Sequence, residues 1–398
     1  MNLHVDSQKD HYAAEKKKIL SLYRHHDSFA IADLTRELGS SIPKVTRILT
    51  EMMEEGLLVE SGKLESASGR HPCLYGLNPD YGLFVGVDVG YDSLAVAVSN
   101  FSGQTVFVRD TIPFVLESTN ESVLSLCKTV LEQLRGAGVD MDRILGYGVN
   151  LTGRVNHLTG FSYSYFLGED KPISQLLEAG FGKSVIVEND SRAMAYGEYV
   201  SSFSGEEGNI LFLNVSWGLG MGMVMGGKLY YGKSGFSGEV GHFPLLDNNR
   251  VCRCGKVGCL ETGASGSALQ RIVTEKIKQG RSSQLSDVFS EAEPLSLDSI
   301  LDAVEKEDVL CIESVEEVGA TLGRAVSGLI NIFNPDVVVI GGSLSLTERY
   351  LMPPLLSAVN KLSLKLVNND TVIKVSRLGK TAGALGASYL SKYRLLNP

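Results

Sequence analysis

Tryptophan is almost missing from this chain of 398 residues, which has one, and cysteine is scarce at six. Long apolar runs are lacking too. Nowhere do about eighteen apolar residues follow one another, so no membrane-spanning helix is expected. The opening "MNLHVDSQKDHYAAEKKKIL" has no apolar centre of the kind a secretory signal carries. A soluble, cytoplasmic protein is therefore expected, in a compartment that keeps thiols reduced. Positive charge is not in excess either: the net charge is −9, and the first eighty residues carry ten Lys/Arg against twelve Asp/Glu. Bulk charge thus gives no sign of a nucleic-acid partner, and any such surface must be argued from local placement.

What cysteine there is falls unevenly. Cys73, Cys127 and Cys311 are scattered, whereas Cys252, Cys254 and Cys259 share the stretch "GHFPLLDNNRVCRCGKVGCLE", residues 241 to 261. Disulfides would leave one of the three unpaired, and reducing surroundings argue against them. Thiolates with a neutral imidazole are the soft donors of tetrahedral zinc. His242 followed by C-x-C-x4-C supplies four of them, the number a closed structural site needs. Gly255 and Gly258 suit a loop wrapping one ion, because they tolerate positive φ. Zn2+ is the expected cofactor.

The length suggests two or three domains. Residues 11 to 60 read as helices: "AEKKKILSLYRHH", then "SFAIADLTRELGSS" ending at Gly39, then "SIPKVTRILTEMMEEGLLVE" closing at Gly56. Ser41 is expected as N-cap of the third helix, with Pro43 in its first turn. An apolar run, a turn around "SGKLESASGRHP" and the short strand "CLYGLNP" follow. That order is a winged helix-turn-helix, whose third helix enters the major groove of operator DNA. Lys44, Thr46 and Arg47 then lie where base edges are reached, and Arg70 and His71 lie on the wing. The alternative is a small helical dimerisation module with solvated charges.

From "GLFVGVDVGYDSLAVAVSNFSGQTVFVRDTI" the texture becomes apolar strands with tight turns at Gly90 and Gly103, then a helix near 118 to 135 and the strand "ILGYGVNL". "NILFLNVSWGLGMGMVMGGKLYYG" repeats the opening, and a long helix near 312 to 333 leads to "DVVVIGG". Two related α/β halves suggest a duplicated core with a ligand cleft. Segment 280 to 310, rich in Ser, Asp and Glu, is expected to form short surface helices.

These pieces together resemble the ROK family of sugar kinases and sugar-responsive repressors, over nearly the whole chain. The residues that carry it are "GEVGHFPLLDNNRVCRCGKVGCLE", with the family's E-x-G-H and C-x-C-G-x-x-G-C-x-E signatures, "GYGVNLTGRVNHLTG" and "VENDSRAMAYGE". The resemblance implies an α/β fold, the actin-like, ribonuclease-H-like duplicated two-lobed sugar-kinase fold, preceded by a winged helix-turn-helix. The expected domains are 1–80 for DNA binding, 81–195 with 380–398 for the first lobe, and 196–379 for the second. It also implies a hexose or amino-hexose effector between the lobes, contacted by Asn189, Asp190, Glu239, His242 and Glu261, with zinc orienting His242. For Asn189 and Asp190 helix capping is a second reading. A homodimer or higher homo-oligomer follows from family analogy.

A kinase would need Asp190 as general base and glycine turns that cradle phosphates. Where ROK kinases carry D-x-G-G-T this chain has "DVGYD", keeping Asp88 and Gly90 but putting Tyr91 and Asp92 where a glycine and a threonine belong. Where they carry G-T-G-x-G it has "SWGLG", with Trp217 at the threonine. The expectation is a regulator, a repressor of carbohydrate-use genes with a degenerate ATP site and no catalytic residue. The alternatives are an active hexose kinase with a regulatory N-terminal domain, and a sugar-binding scaffold without DNA.

Overall fold

The computed structural model describes residues 12–23, 26–63, 72–166, 171–202, 208–290 and 294–396. It divides into two compact units, Met1–Glu206 with Gly383–Pro398, and Glu207–Ala382.

The first unit opens with α1 (Ala13–Leu22), β1 (Ser28–Ala30), α2 (Ile31–Leu38) and α3 (Ile42–Glu54), followed by β2 (Leu58–Lys63) and β3 (Cys73–Leu77). Strand order β1-β3-β2 makes a three-stranded wing. Gly39 ends α2 in the left-handed conformation, and Pro43 sits in the first turn of α3. Ser41 occupies the N-cap position, but its side chain makes no capping hydrogen bond. Strand β1 is not evident in the sequence, being only three residues long. Val45, Ile48, Leu49 and Met52 turn one face of α3 inward, a 3–4 spacing that fits the helical period. Lys16 of α1 is 2% exposed, and its Nζ reaches Glu55 Oε1 at 2.7 Å and Glu51 Oε2 at 3.4 Å. Removing one partner of so desolvated a pair costs more than the pair contributes.

The unit continues with β4 (Leu83–Val89), β5 (Ser93–Asn100), β6 (Thr105–Pro113), α4 (Asn120–Gly136), β7 (Ile144–Leu151), the small pair β8 (Val155–Asn156) and β9 (Phe161–Ser162), α5 (Ile173–Phe181), β10 (Val185–Asn189) and α6 (Asp190–Ser202). Its sheet runs β10-β7-β4-β5-β6. β4 is antiparallel to β5 and parallel to β7. β4 and β7 are buried almost throughout, as strands covered on both faces are.

The second unit holds β11 (Ile210–Val215), β12 (Leu219–Met225), β13 (Lys228–Leu229), α7 (Gly266–Lys278), α8 (Leu297–Glu305), α9 (Val309–Phe333), β14 (Val337–Gly341), α10 (Glu348–Leu362), α11 (Lys365–Asp370) and β15 (Val372–Val375). Its sheet order is β13-β12-β11-β14-β15. Numbered within each half, both sheets run 3-2-1-4-5, three antiparallel strands and then parallel ones, the duplicated ribonuclease-H-like pattern. Helix α8 is not the surface piece its composition suggests: Ile300, Ala303 and Val304 belong to this unit's core, and Leu301 is buried too.

Helix α12 (Ala382–Leu396) brings the chain back to the first sheet. Gly86 of β4 and Gly148 of β7 leave no room for a Cβ against the carbonyls of Ala384 and Ala387, so the helix lies directly on the strands. Its last turn delivers Leu396 to a core that also holds Phe84, Phe101, Ile19, Leu20 and Leu34. The winged helix therefore shares one apolar cluster with the first lobe. Tyr81 packs on Phe101 with ring centroids 4.7 Å apart, and Phe101 stacks on Phe84 at 6.2 Å.

Candidate functional site

The cysteine loop of the second unit folds back on itself through bridges Pro244↔Cys259 and Val251↔Val257. Gly255 and Gly258 take φ of +83° and +79°, the conformation the loop was expected to need. The folding brings His242, Cys252, Cys254 and Cys259 together, with one donor atom from each lying within 4.8 Å of every other. His242 Nδ1 is 3.5 Å from Cys252 Sγ, and Cys254 Sγ is 3.6 Å from Cys259 Sγ. Zinc–sulfur bonds of about 2.3 Å at tetrahedral angles put neighbouring sulfurs about 3.8 Å apart, close to these two donor separations, so the donor set is compatible with that ion. All six cysteines are free thiols. Burial pushes the Cys252 thiol up to about 12 and raises Cys259, whereas a hydrogen bond from the Lys256 backbone N–H lowers Cys254.

Two carboxylates frame the cluster. Glu239 Oε2 lies 3.8 Å from His242 Nε2, on the far side of the ring from the sulfurs. Glu261 Oε1 lies 3.6 Å from Cys252 Sγ, and its Oε2 accepts the Leu219 N–H at 3.1 Å. The same Oε2 would be 2.9 Å from a Cβ at Gly218. A carboxylate thus rests against the glycine turn of "SWGLG", between strands β11 and β12.

In the first unit Asn189 and Asp190 mark the junction of β10 and α6. Asn189 Oδ1 accepts the Arg192 N–H at 3.1 Å, and its Nδ2 donates to the Gly153 carbonyl at 2.9 Å and to Asp190 Oδ1 at 2.8 Å. Asn189 therefore caps α6 and ties it to the "GYGVNLTGRV" loop. Asp190 Oδ1 also accepts the Ser191 N–H at 2.7 Å. Burial raises the Asp190 carboxyl to about 6 against those hydrogen bonds. Asp88, at the end of β4, is raised to about 7 by burial and then by the charge of Asp190, while Asn150 opposes the shift. The coupling of Asp88 to Asp190 is invisible in the sequence because a hundred residues intervene. Beneath them Arg192 pairs with buried Glu188 at 2.7 Å, giving the glutamate of "VEND" a structural task.

On α3 the side chains of Lys44, Thr46 and Arg47 are exposed on the face opposite the core. Lys44 Nζ is held by Glu15 Oε1 at 2.7 Å, a contact that raises its pKa. Arg47 Nε is 3.4 Å from Glu51. Both cations lie over the Tyr12 ring, at 5.7 and 5.6 Å from its centre. Arg70 and His71, expected on the wing, fall outside the described residues.

Fold and site together define a winged helix joined to a duplicated sugar-kinase-like core that carries a Cys3His cluster. The ROK family profile matches residues 84–394, and the chain belongs to the ROK family. The putative xylose repressor of Caldicellulosiruptor sp. (strain Rt8B.4) is 29% identical over 93% of each chain. A solved ROK family transcriptional regulator, a homolog of the E. coli MLC protein, superposes with TM-score 0.78 and 27% identity over 96% of each chain. The ROK glucokinase of Streptomyces griseus, solved with glucose and AMPPNP, gives TM-score 0.66 and 25% identity, covering 78% of this chain and 99% of the kinase. The likeness to repressors runs through the winged helix, and the likeness to the kinase covers less of the chain. Among the described residues no helix is long and apolar enough to cross a membrane.

Proposed function

We propose that this protein is a sugar-responsive transcriptional regulator, a repressor of carbohydrate-use genes acting in the cytoplasm as a homodimer or higher homo-oligomer. Operator DNA is taken by α3 through Lys44, Thr46 and Arg47, with Arg70 and His71 on the wing. The effector is a hexose or amino-hexose held by Asn189, Asp190, Glu239, His242 and Glu261. The observation that carries the reading is the apolar cluster in which Phe84, Phe101 and Leu396 of the ROK portion pack among the winged-helix residues. A DNA-binding element built into the sensing domain's own core is coupled to it mechanically.

Zinc on His242, Cys252, Cys254 and Cys259 would supply a rigid loop and a fixed orientation of the His242 ring. The chain's own residues do the rest. With Nδ1 turned to the sulfurs, His242 keeps Nε2 for a sugar hydroxyl, and Glu239 and Glu261 accept from hydroxyls in charge-assisted hydrogen bonds. Asp190 and Asn189 stand at the head of α6, whose thirteen residues span about 20 Å. Tyr196, further along that helix, packs edge-on against Tyr393 of α12 at 5.7 Å. Sugar contact at one end of α6 thus bears on α12, whose last turn enters the winged-helix core. A change in that seating alters the spacing of recognition helices in a dimer, and with it the match to two operator half-sites.

The reading includes the absence of kinase activity. Tyr91, 56% exposed, and Asp92 stand in the first hairpin, where the kinases carry a glycine and a threonine. A phosphate there meets like charge. The test is fluorescence anisotropy of labelled upstream DNA with the full-length protein, across salt, with a panel of hexoses and amino-hexoses. Salt-sensitive binding released by one sugar is the expected result. Binding equal to that on random DNA, together with sugar-dependent ATP consumption in a coupled assay, would replace the repressor by a kinase.

A further inference from the structure

A cavity of about 550 Å³ opens inside the first unit, bounded by the winged helix, the turn between β5 and β6, and the later turns of α6 and α12. Small-ligand pockets run from roughly 300 to 1,000 Å³. Neither the proposed operator face nor the proposed sugar contacts contribute to its lining. Five tyrosines do: Tyr23, Tyr196, Tyr199, Tyr389 and Tyr393. Leu20, Leu77 and Leu396 add aliphatic wall.

Among the described residues one ammonium group serves this space. Lys392 projects from α12 toward the β5–β6 turn, where a Cβ at Gly103 would stand 3.2 Å from its Nζ. Among the described residues no carboxylate lies within 4.0 Å of that nitrogen, and it donates no hydrogen bond to any of them. The carboxylate acting on it through space is the exposed Asp27, and burial outweighs that attraction, lowering the amine to about 8. A desolvated cation without a partner is a standing cost that an incoming anion would relieve.

We propose that this cavity is a binding site for a small aromatic carboxylate, its anionic group on Lys392 Nζ and its ring among the tyrosines. A ring is favoured because tyrosine faces offer stacked and edge-on contacts to a planar body. A single negative charge is favoured because one ammonium, with Asp27 nearby, balances a carboxylate but not a phosphate dianion. A neutral hexose finds no convergent carboxylates here. The site is separate from the sugar contacts, and the proposal stands whether or not the chain is sugar-responsive. Its ligand would touch the winged helix and the first lobe at once.

The experiment is isothermal titration calorimetry of the full-length protein with benzoate and 4-hydroxybenzoate, with benzyl alcohol and phenyl phosphate as comparators. Saturable binding of the carboxylates is expected, at least tenfold tighter than either comparator and at least tenfold weaker in Lys392→Gln. Besides the amine, the titratable groups among the described residues facing this space are Asp27, His26 and the five phenols. Lys392→Arg isolates the amine from them. Wild-type affinity falls between about pH 7 and about pH 9.5, whereas the arginine variant binds and stays flat. Tighter binding of phenyl phosphate would overturn the carboxylate assignment. Affinity unchanged in Lys392→Gln, the same pH profile in Lys392→Arg, or no saturable heat at millimolar ligand would overturn the site, the last leaving a cavity filled with water.

Discussion

Changing Cys254 to serine tests whether the metal loop organises the sugar pocket. Cys254 is partly exposed and its Sγ faces Cys259 at 3.6 Å, so the exchange opens no hole in a core. What it removes is one of four donors, since a neutral hydroxyl is a poor ligand for zinc. Structural zinc sites bind with about 10–16 kcal/mol in finger peptides, so an even share per ligand is about 3 kcal/mol. That is a loss of zinc affinity of about two hundredfold, readable by competition with a chromophoric chelator. His242 then loses its fixed orientation, and with it a charge-flanked hydrogen bond of about 1.5–3 kcal/mol to the sugar. Sugar affinity should fall by roughly ten- to hundredfold in calorimetry. Operator affinity without sugar should change little, because α3 belongs to the other unit. Unchanged sugar response in zinc-free protein would refute the link from metal to pocket. Loss of operator binding as well would mean that the loop is needed for folding alone.

His242→Ala should likewise weaken the sugar response while sparing operator binding by the sugar-free form. Lys44→Ala or Arg47→Ala should weaken operator binding and lower its salt slope by about 1 for each phosphate contact removed, without touching sugar affinity; unchanged anisotropy would dismiss α3 as the reading helix. Phe101→Ala removes a fully buried ring from the shared cluster and should cost about 3–5 kcal/mol, seen as loss of winged helix and first lobe in one transition; separate transitions would contradict the shared core. Asp88 and Asp190 are both raised in the folded protein, to about 7 and about 6. The native state then holds more protons than the unfolded chain between about pH 4 and pH 7, so their contribution to stability falls as pH rises through that window. Asp88→Asn should flatten the dependence of Tm on pH and raise Tm relative to the parent at about pH 8. Parallel curves for the two proteins would refute the assignment.

The parts legible in the sequence were those whose partners are close in the chain. His242, Cys252, Cys254 and Cys259 lie within eighteen residues, and two flanking glycines announced the loop's positive φ. Gly39 and Pro43 bounded two helices by local chemistry alone. The capping reading of Asn189 was also local, and its side chain does bond the Arg192 N–H. Contacts between distant segments were not legible. Phe84, Phe101 and Leu396 read as ordinary strand or helix residues until α12 brings them beneath the winged helix. Lys392 gave no signal, because its surroundings come from five separate stretches besides its own helix. The Ser, Asp and Glu around α8 masked the helical spacing of Ile300, Leu301 and Val304, showing how composition can hide a buried face.

The shared cluster sets where this protein can be recombined with others. A chimera cut at residue 80, the point at which the sequence changes texture, would leave Phe84 and Phe101 without the winged-helix side chains that cover them, and would strand Ile19 and Leu34 on the transplanted head. A portable DNA-reading module from this scaffold must carry the matching surface of its receiver, including the last turn of α12. Swapping reading heads between such regulators is therefore an exchange of interfaces, and heads whose cluster residues differ in volume should fit only after compensating changes at positions 84, 101 and 396.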